Sequence, residues 1–255
     1  MNRCMAQYTT EALIIGIKNW GEADKIITLL SPERGRIKAA AFGCRRPKSA
    51  LAGSLQMFNQ VEVQVREGDR LDTIRSCSLL RAYRIMSTDF AAMAYGSFVA
   101  ETASRLAIEN FPQQDMYSRL QEIFEAFGRR NPRVAALAAA YQLLEYSGMQ
   151  MSYQYCAECN RELEGDGGFA FDLGGALCRD CAGSRRRELG EYGVLAYSGE
   201  VREFILQLLE LDWHSKPSFT VSGRTLVAAE ALLLGYLRHI FEKPLKSLEF
   251  IRQIG

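Results

Sequence analysis

Over the first third of the chain, apolar residues occur in short runs bounded by turn formers. Ala12-Leu13-Ile14-Ile15-Gly16-Ile17, Lys25-Ile26-Ile27-Thr28-Leu29-Leu30, Arg36-Ile37-Lys38-Ala39-Ala40-Ala41-Phe42, Val61-Glu62-Val63-Gln64-Val65 and Asp72-Thr73-Ile74 read as five strands. Ser31-Pro32-Glu33-Arg34-Gly35 and Glu67-Gly68-Asp69 supply the turns before the third and the last of them. Lys48-Ser49-Ala50-Leu51-Ala52-Gly53-Ser54-Leu55, between strands three and four, suits a short helix. Five strands with one helix after the third fit the barrel of the oligonucleotide-binding fold, and an SH3-like barrel is the runner-up.

Beyond Tyr83 the period becomes helical. Met116, Leu120, Ile123, Phe124 and Phe127 share one face, and helices are expected at about residues 90–109 and 132–147, the latter opened by Asn131-Pro132. Residues 152–190 break this pattern with Gly165, Gly167, Gly168, Gly174 and Gly175 among four cysteines. Helical spacing resumes at Val201, Phe204, Ile205, Leu208 and Leu209, then at Leu226, Ala229, Leu233, Tyr236, Leu237 and Ile240. The expected fold class is therefore α+β and multidomain: a barrel over residues 1–80, a helical domain over 81–255, and a cysteine module over 152–190 inserted within it.

Cys156-x-x-Cys159 and Cys178-x-x-Cys181, with eighteen residues between the pairs, have the spacing of a four-cysteine zinc site. Four thiolates close the coordination sphere, so the expected ion is structural, and it supplies folding free energy to a module with little core. A redox role is disfavoured because neither pair stands in a recognisable strand-to-helix context. Cys4, Cys44 and Cys77 have no partner at metal spacing and read as core or surface residues.

The 255 residues are 48% hydrophobic and 24% charged, which excludes collagen, coiled-coil and wholly disordered classes. The most apolar long window, Val194 to Trp213, is interrupted by Glu200, Arg202, Glu203, Glu210 and Asp212, so no membrane span is expected. The N-terminus lacks a signal-peptide pattern, which points to a cytoplasmic protein with reduced thiols. The sequence has no Gly-Lys-Ser/Thr phosphate loop, no Gly-x-Gly-x-x-Gly, no His-Glu-x-x-His and no Gly-x-Ser-x-Gly. His214 and His239 stand alone, so no enzymatic activity is expected. The net charge of +1 hides an excess of four positive charges in residues 1–80, where Arg34, Arg36, Lys38, Arg45, Arg46 and Lys48 follow one another without an intervening acid. On a small barrel these would meet a phosphate backbone, with Phe42 and Phe58 as stacking surfaces; each ring taken alone reads as core. A solvated basic edge is the competing reading.

Taken in order, several segments make the chain resemble the RecO family of DNA repair and recombination mediators. They are Glu11 to Ile15, Gly21 to Leu29, Gly35-Arg36-Ile37, Gly43-Cys44-Arg45-Arg46-Pro47-Lys48-Ser49, Leu143 to Gly148, both Cys-x-x-Cys pairs, and Lys246 to Ile251. The resemblance implies an oligonucleotide-binding barrel and a helical domain with an inserted zinc finger holding one ion on Cys156, Cys159, Cys178 and Cys181. It implies binding of single- and double-stranded DNA without sequence preference, strand annealing, and help in loading recombinase onto strands coated by single-stranded DNA-binding protein. The implied partners are RecR, in some members RecF, and the acidic, hydrophobic-ended tail of the single-stranded DNA-binding protein. The implied setting is the bacterial cytoplasm, at the nucleoid during repair. Some members lack the zinc cysteines, which marks the ion as stabilising. Asn160 stands where a glycine often follows the second cysteine, and asparagine tolerates the left-handed backbone of such a knuckle. Arg129, Arg130 and Arg133, beside apolar helices, are the candidates for the acidic tail. The alternative function is a zinc-containing protein-interaction scaffold with incidental DNA contact.

Overall fold

The computed structural model describes residues 6–190, 193–215 and 220–251. Cys4 lies outside them. The chain forms two compact units, residues 1–132 with 245–255, and residues 133–244. The first unit is thus larger than the barrel expected to end at residue 80, because the helices that follow the barrel belong with it.

In the first unit, β1 (Gln7–Trp20), β2 (Asp24–Ser31), β3 (Gly35–Ala41), β4 (Gln60–Arg66) and β5 (Asp72–Arg81) close a barrel in the order β1-β2-β3-β5-β4. β4 returns antiparallel to β1, and β5 crosses over to lie parallel to β3. This Greek-key crossover selects the oligonucleotide-binding type of barrel. Strict alternation fills the interior: Val61, Val63 and Val65 point inward from β4, against Ile14, Ile27, Leu29, Ile37, Ala39 and Ala41. The β2–β3 turn needs Gly35. Its φ is +62°, and a Cβ there would lie 2.3 Å from the Phe111 carbonyl oxygen and 2.4 Å from that of Ile108.

The Lys48–Leu55 segment is a series of turns rather than the expected helix. Pro47 precedes it, Gly53 lies within it, and Ser49 Oγ accepts from the Leu51 amide, a local bond that competes with helical pairing. Leu51 and Leu55 still pack against the barrel core, as a capping helix would.

The chain continues through α1 (Ile85–Thr88), α2 (Phe90–Leu106) and α3 (Gln114–Ala126). Asp89 caps α2 by accepting from the Ala92 amide at 2.7 Å. Phe124 of α3 meets Phe58 and Tyr83 edge-on, which makes Phe58 a core residue. A C-terminal helix, Ser247–Ile251, starts on the Glu101 carboxylate of α2, which accepts from the Lys246 and Ser247 amides at 3.0 and 2.8 Å.

The second unit holds α4 (Pro132–Tyr146), β6 (Gly167–Ala170), β7 (Gly175–Leu177), α5 (Arg179–Leu189), β8 (Leu195–Tyr197), α6 (Gly199–Leu209) and α7 (Gly223–Ile240). Ser198 and Ser222 cap α6 and α7. Gln142 of α4 is buried and fully employed. Its Nε2 donates to the carbonyls of Leu208, Leu209 and Leu211 at the end of α6, and its Oε1 accepts from the buried Trp213 indole at 2.8 Å. Gln142 thus serves the carbonyls that close this helix terminus, of which Leu208 O also accepts from backbone amides. Among the described residues no helix is long and apolar enough to cross a membrane.

Candidate functional site

The four cysteines come together. The sulfurs of Cys156, Cys159, Cys178 and Cys181 all lie within 4.8 Å of one another, and those of Cys159 and Cys178 are 3.9 Å apart. Thiolates at ~2.3 Å from a tetrahedral ion would be about 3.8 Å apart, so the cluster has the dimensions of a four-sulfur metal site.

Local folding explains how each pair is presented. Residues 154–163 form a tight hairpin in which the Cys156 amide donates to Arg161 O, and the Asn160 amide donates back to Cys156 O, both at 2.8 Å. Asn160 has φ +55°, the left-handed conformation expected for it. Cys178 is the N-cap of α5 and Cys181 lies in its first turn, so the helix start holds the second pair of sulfurs close together. This pair therefore does occupy a strand-to-helix junction, between β7 and α5, contrary to expectation. The proximity of the second pair is what separates the site from an isolated dithiol.

The thiols of the cluster are shifted in opposite directions. Burial works against the Cys156 thiolate, but amides of Cys159, Cys178 and Glu158 outweigh it and lower its pKa to about 6. Burial, the neighbouring thiols of Cys178, Cys159 and Cys156, and the charge of Cys156 all push the Cys181 pKa upward. Four thiolates cannot share so small a space without a cation, and a divalent ion at the centre reverses that penalty. The residues present thus fit a closed structural metal site.

The cysteine module is larger than residues 152–190. β8 pairs with β6 and completes a sheet of order β7-β6-β8, with Phe169 and Tyr197 in edge contact and both buried. Three residues, Leu195-Ala196-Tyr197, are too few to show a strand period.

The structure divides the six predicted basic residues into two groups. Arg34 pairs with Glu67 at 3.4 Å and lies over the Tyr8 ring. Arg36 and Lys38 both meet Glu109, at 3.0 and 3.3 Å, and Arg36 also donates to Ser104 O. Burial opposes the Glu109 carboxylate, but the hydrogen bond and charge of Lys38 and those of Arg36 prevail and hold its pKa below the ordinary value. The pairing is therefore complete above the ordinary carboxylate range and is lost as pH falls through that lowered pKa.

Arg45, Arg46 and Lys48 differ: they are exposed and form no ion pair among the described residues. Their loop is nevertheless fixed. The Gly43 amide donates to Asp24 Oδ1 at 2.7 Å, the Arg45 amide to Ala23 O at 2.9 Å, and Arg45 Nη1 to Gly21 O at 3.2 Å. Cys44, between them, is buried in the barrel core, where desolvation raises its pKa, so it is no nucleophile. Cys77 packs partly against the same core and burial lifts its pKa to about 11.

Arg129, Arg130 and Arg133 do not form one patch within a single unit. Arg129 is exposed beside a cleft of the first unit lined by Arg81, Tyr83, Arg84, Phe124 and Glu125, the last paired with Arg81. Arg133 lies in the second unit and pairs with Glu230.

A barrel of the oligonucleotide-binding type, followed by a helical region that carries a four-cysteine cluster with the dimensions of a metal site, defines a two-part class of protein. The comparisons with known proteins narrow it to one family. The family description "Recombination protein O N terminal" matches residues 5–83, and "Recombination protein O C terminal" matches residues 87–249. The chain is 31% identical over 252 residues to the DNA repair protein RecO of Symbiobacterium thermophilum, covering 97% of both chains. It is 32% identical over 250 residues to the DNA repair protein RecO of Roseiflexus sp., covering 97% of this chain and 86% of that one. The chain belongs to the RecO family of DNA repair proteins.

Proposed function

We propose that this protein binds DNA as a recombination mediator, anneals complementary single strands, and assists recombinase loading on strands coated by single-stranded DNA-binding protein. The observation that carries the reading is the rigid loop holding Arg45, Arg46 and Lys48 free of carboxylates at the end of β3. A loop whose backbone is already held loses little backbone entropy on meeting phosphates, and phosphate contacts carry no sequence information. They would serve single and double strands alike. Annealing then needs no bond-breaking site: two backbones are brought together while their charge is neutralised, and the base edges stay available for pairing.

Zinc on Cys156, Cys159, Cys178 and Cys181 would be structural, tying the 154–163 hairpin to the start of α5. RecR, RecF and the acidic tail of the single-stranded DNA-binding protein are partners suggested by the family resemblance. For that tail, Arg129 and its cleft are a better candidate than Arg133, which already has a carboxylate partner. The same family resemblance suggests a cytoplasmic protein that acts at the nucleoid.

Binding of a labelled single strand across a salt series tests the reading. Three phosphate contacts from Arg45, Arg46 and Lys48 give a log–log slope of about −2, and all six cations about −4, at ~0.7 per contact. Salt-insensitive binding, or none, would contradict it.

The paired group yields a separate expectation. Glu109→Gln should release Arg36 and Lys38 for phosphate, steepening the slope by about 1.4 and tightening single-strand binding several-fold at low salt. Surface pairs of this kind are worth ~0–1 kcal/mol, so the melting temperature should hardly move. Unchanged affinity in this variant would show that these two cations do not face DNA.

A further inference from the structure

The outer face of the barrel's first three strands carries a feature that the charged loop alone does not explain. Register places Gly16, Thr28 and Lys38 in one row across β1, β2 and β3, and Lys18, Ile26 and Ala40 in the next. The following row contains Trp20 and Asp24, and the alternation of β3 carries Phe42 to the same face. The Trp20 and Phe42 rings are 5.9 Å apart and tilted by 46°. Yet they remain 44% and 54% exposed, whereas the other tryptophan, Trp213, is 1% exposed. A single exposed apolar side chain is ordinary, but two neighbouring aromatic rings left in water are a candidate contact surface.

The charged loop is built around this pair. Arg45 Nη1 is bonded to Gly21 O, next to Trp20. Arg46 lies over Gly43, next to Phe42, so that a Cβ at Gly43 would be 3.7 Å from its Cδ and Nε. Each ring thus has a guanidinium one residue away. Asp24, between the rings, is engaged by the Gly43 amide. Counting Lys18, Arg45, Arg46 and Lys48 against Glu22 and Asp24, the surroundings are positive by two. From the ring pair toward Lys38 the face leads into a cleft lined by Lys18, Ile26 and Thr28 on the barrel and by Ser97, Glu101 and Ser104 of α2.

We infer that Trp20 and Phe42 form a base-stacking platform for single-stranded nucleic acid, with Arg45 and Arg46 holding the phosphates on either side. The inference rests on the DNA-binding reading above and deepens it. Phosphate contacts do not distinguish a single strand from a duplex, whereas only an unpaired strand can turn a base face onto an aromatic ring. The platform supplies that discrimination.

Fluorescence tests this on the unaltered protein, because Trp20 is the exposed tryptophan. Titration with an oligothymidylate of about 16 nucleotides, the upper range for one such barrel, should change the tryptophan emission. A blunt duplex should not change it, and the response should vanish in Trp20→Phe. Trp20→Ala/Phe42→Ala should weaken oligothymidylate binding about tenfold or more, leaving the salt slope and duplex affinity as they were. Trp20→Phe, which keeps a ring, should retain most of the affinity, separating stacking from a structural effect. Wild-type affinity in the double alanine variant, or equal losses for duplex and single strand, would overturn the platform. Salt-dependent binding with no tryptophan response would overturn the platform alone. Absence of any salt-dependent binding would overturn the platform and the DNA-binding reading together.

Discussion

Cys178→Ser should cost the protein its bound metal and the order of residues 152–197 while leaving the barrel folded. Serine is among the best helix N-cap residues, so the exchange does not itself remove the N-cap of α5 and the effect isolates the missing thiolate. What remains of the module is a small glycine-rich sheet around Phe169, Leu177 and Tyr197. Structural zinc supplies apparent binding free energies of ~10–16 kcal/mol in finger peptides, comparable to the whole stability of a domain. The expected readout is loss of about one equivalent of zinc per chain. Amide protection should also fall across 152–197, while protection in β1–β5 is retained. A variant with full metal content and an unchanged melting temperature would remove the metal from the structural role given to it here.

Reversing two charges, Arg45→Glu/Arg46→Glu, should have the largest effect on DNA. Each exposed charged contact is worth about 1 kcal/mol, so two lost contacts weaken binding roughly thirtyfold, before repulsion by the new carboxylates. The log–log salt slope should become shallower by about 1.4. Fold damage should be small, because the loop is held chiefly by the Gly43 and Arg45 amides, which the exchange retains. Wild-type affinity and slope in a folded variant would shift DNA to another surface and favour the scaffold reading.

The parts of this protein that read directly from sequence are those set by local periodicity. Alternation in Val61-Glu62-Val63-Gln64-Val65 reports a half-buried strand because every second side chain enters the barrel. The two Cys-x-x-Cys pairs are legible because a tight knuckle is a local device. The second half of β5, Arg75 to Arg81, is not legible in the sequence because its residues are almost all exposed and the adjacent Leu79 and Leu80 break the alternation. Phe42 looks like core by its strand position, yet it lies one residue past the inward-facing Ala41. The neutralisation of Arg34, Arg36 and Lys38 was hidden for another reason. Their carboxylate partners are remote in sequence, 33 residues away for Arg34 and 73 for Arg36.

The most direct test is the rate at which two complementary labelled strands anneal at low salt, alone, with the protein, and with Arg45→Glu/Arg46→Glu. The expected result is acceleration by the protein that fades as salt is raised and is largely lost in the variant. A rate equal to that of protein-free DNA would contradict annealing by charge neutralisation, and full acceleration by the variant would contradict its assignment to the barrel loop.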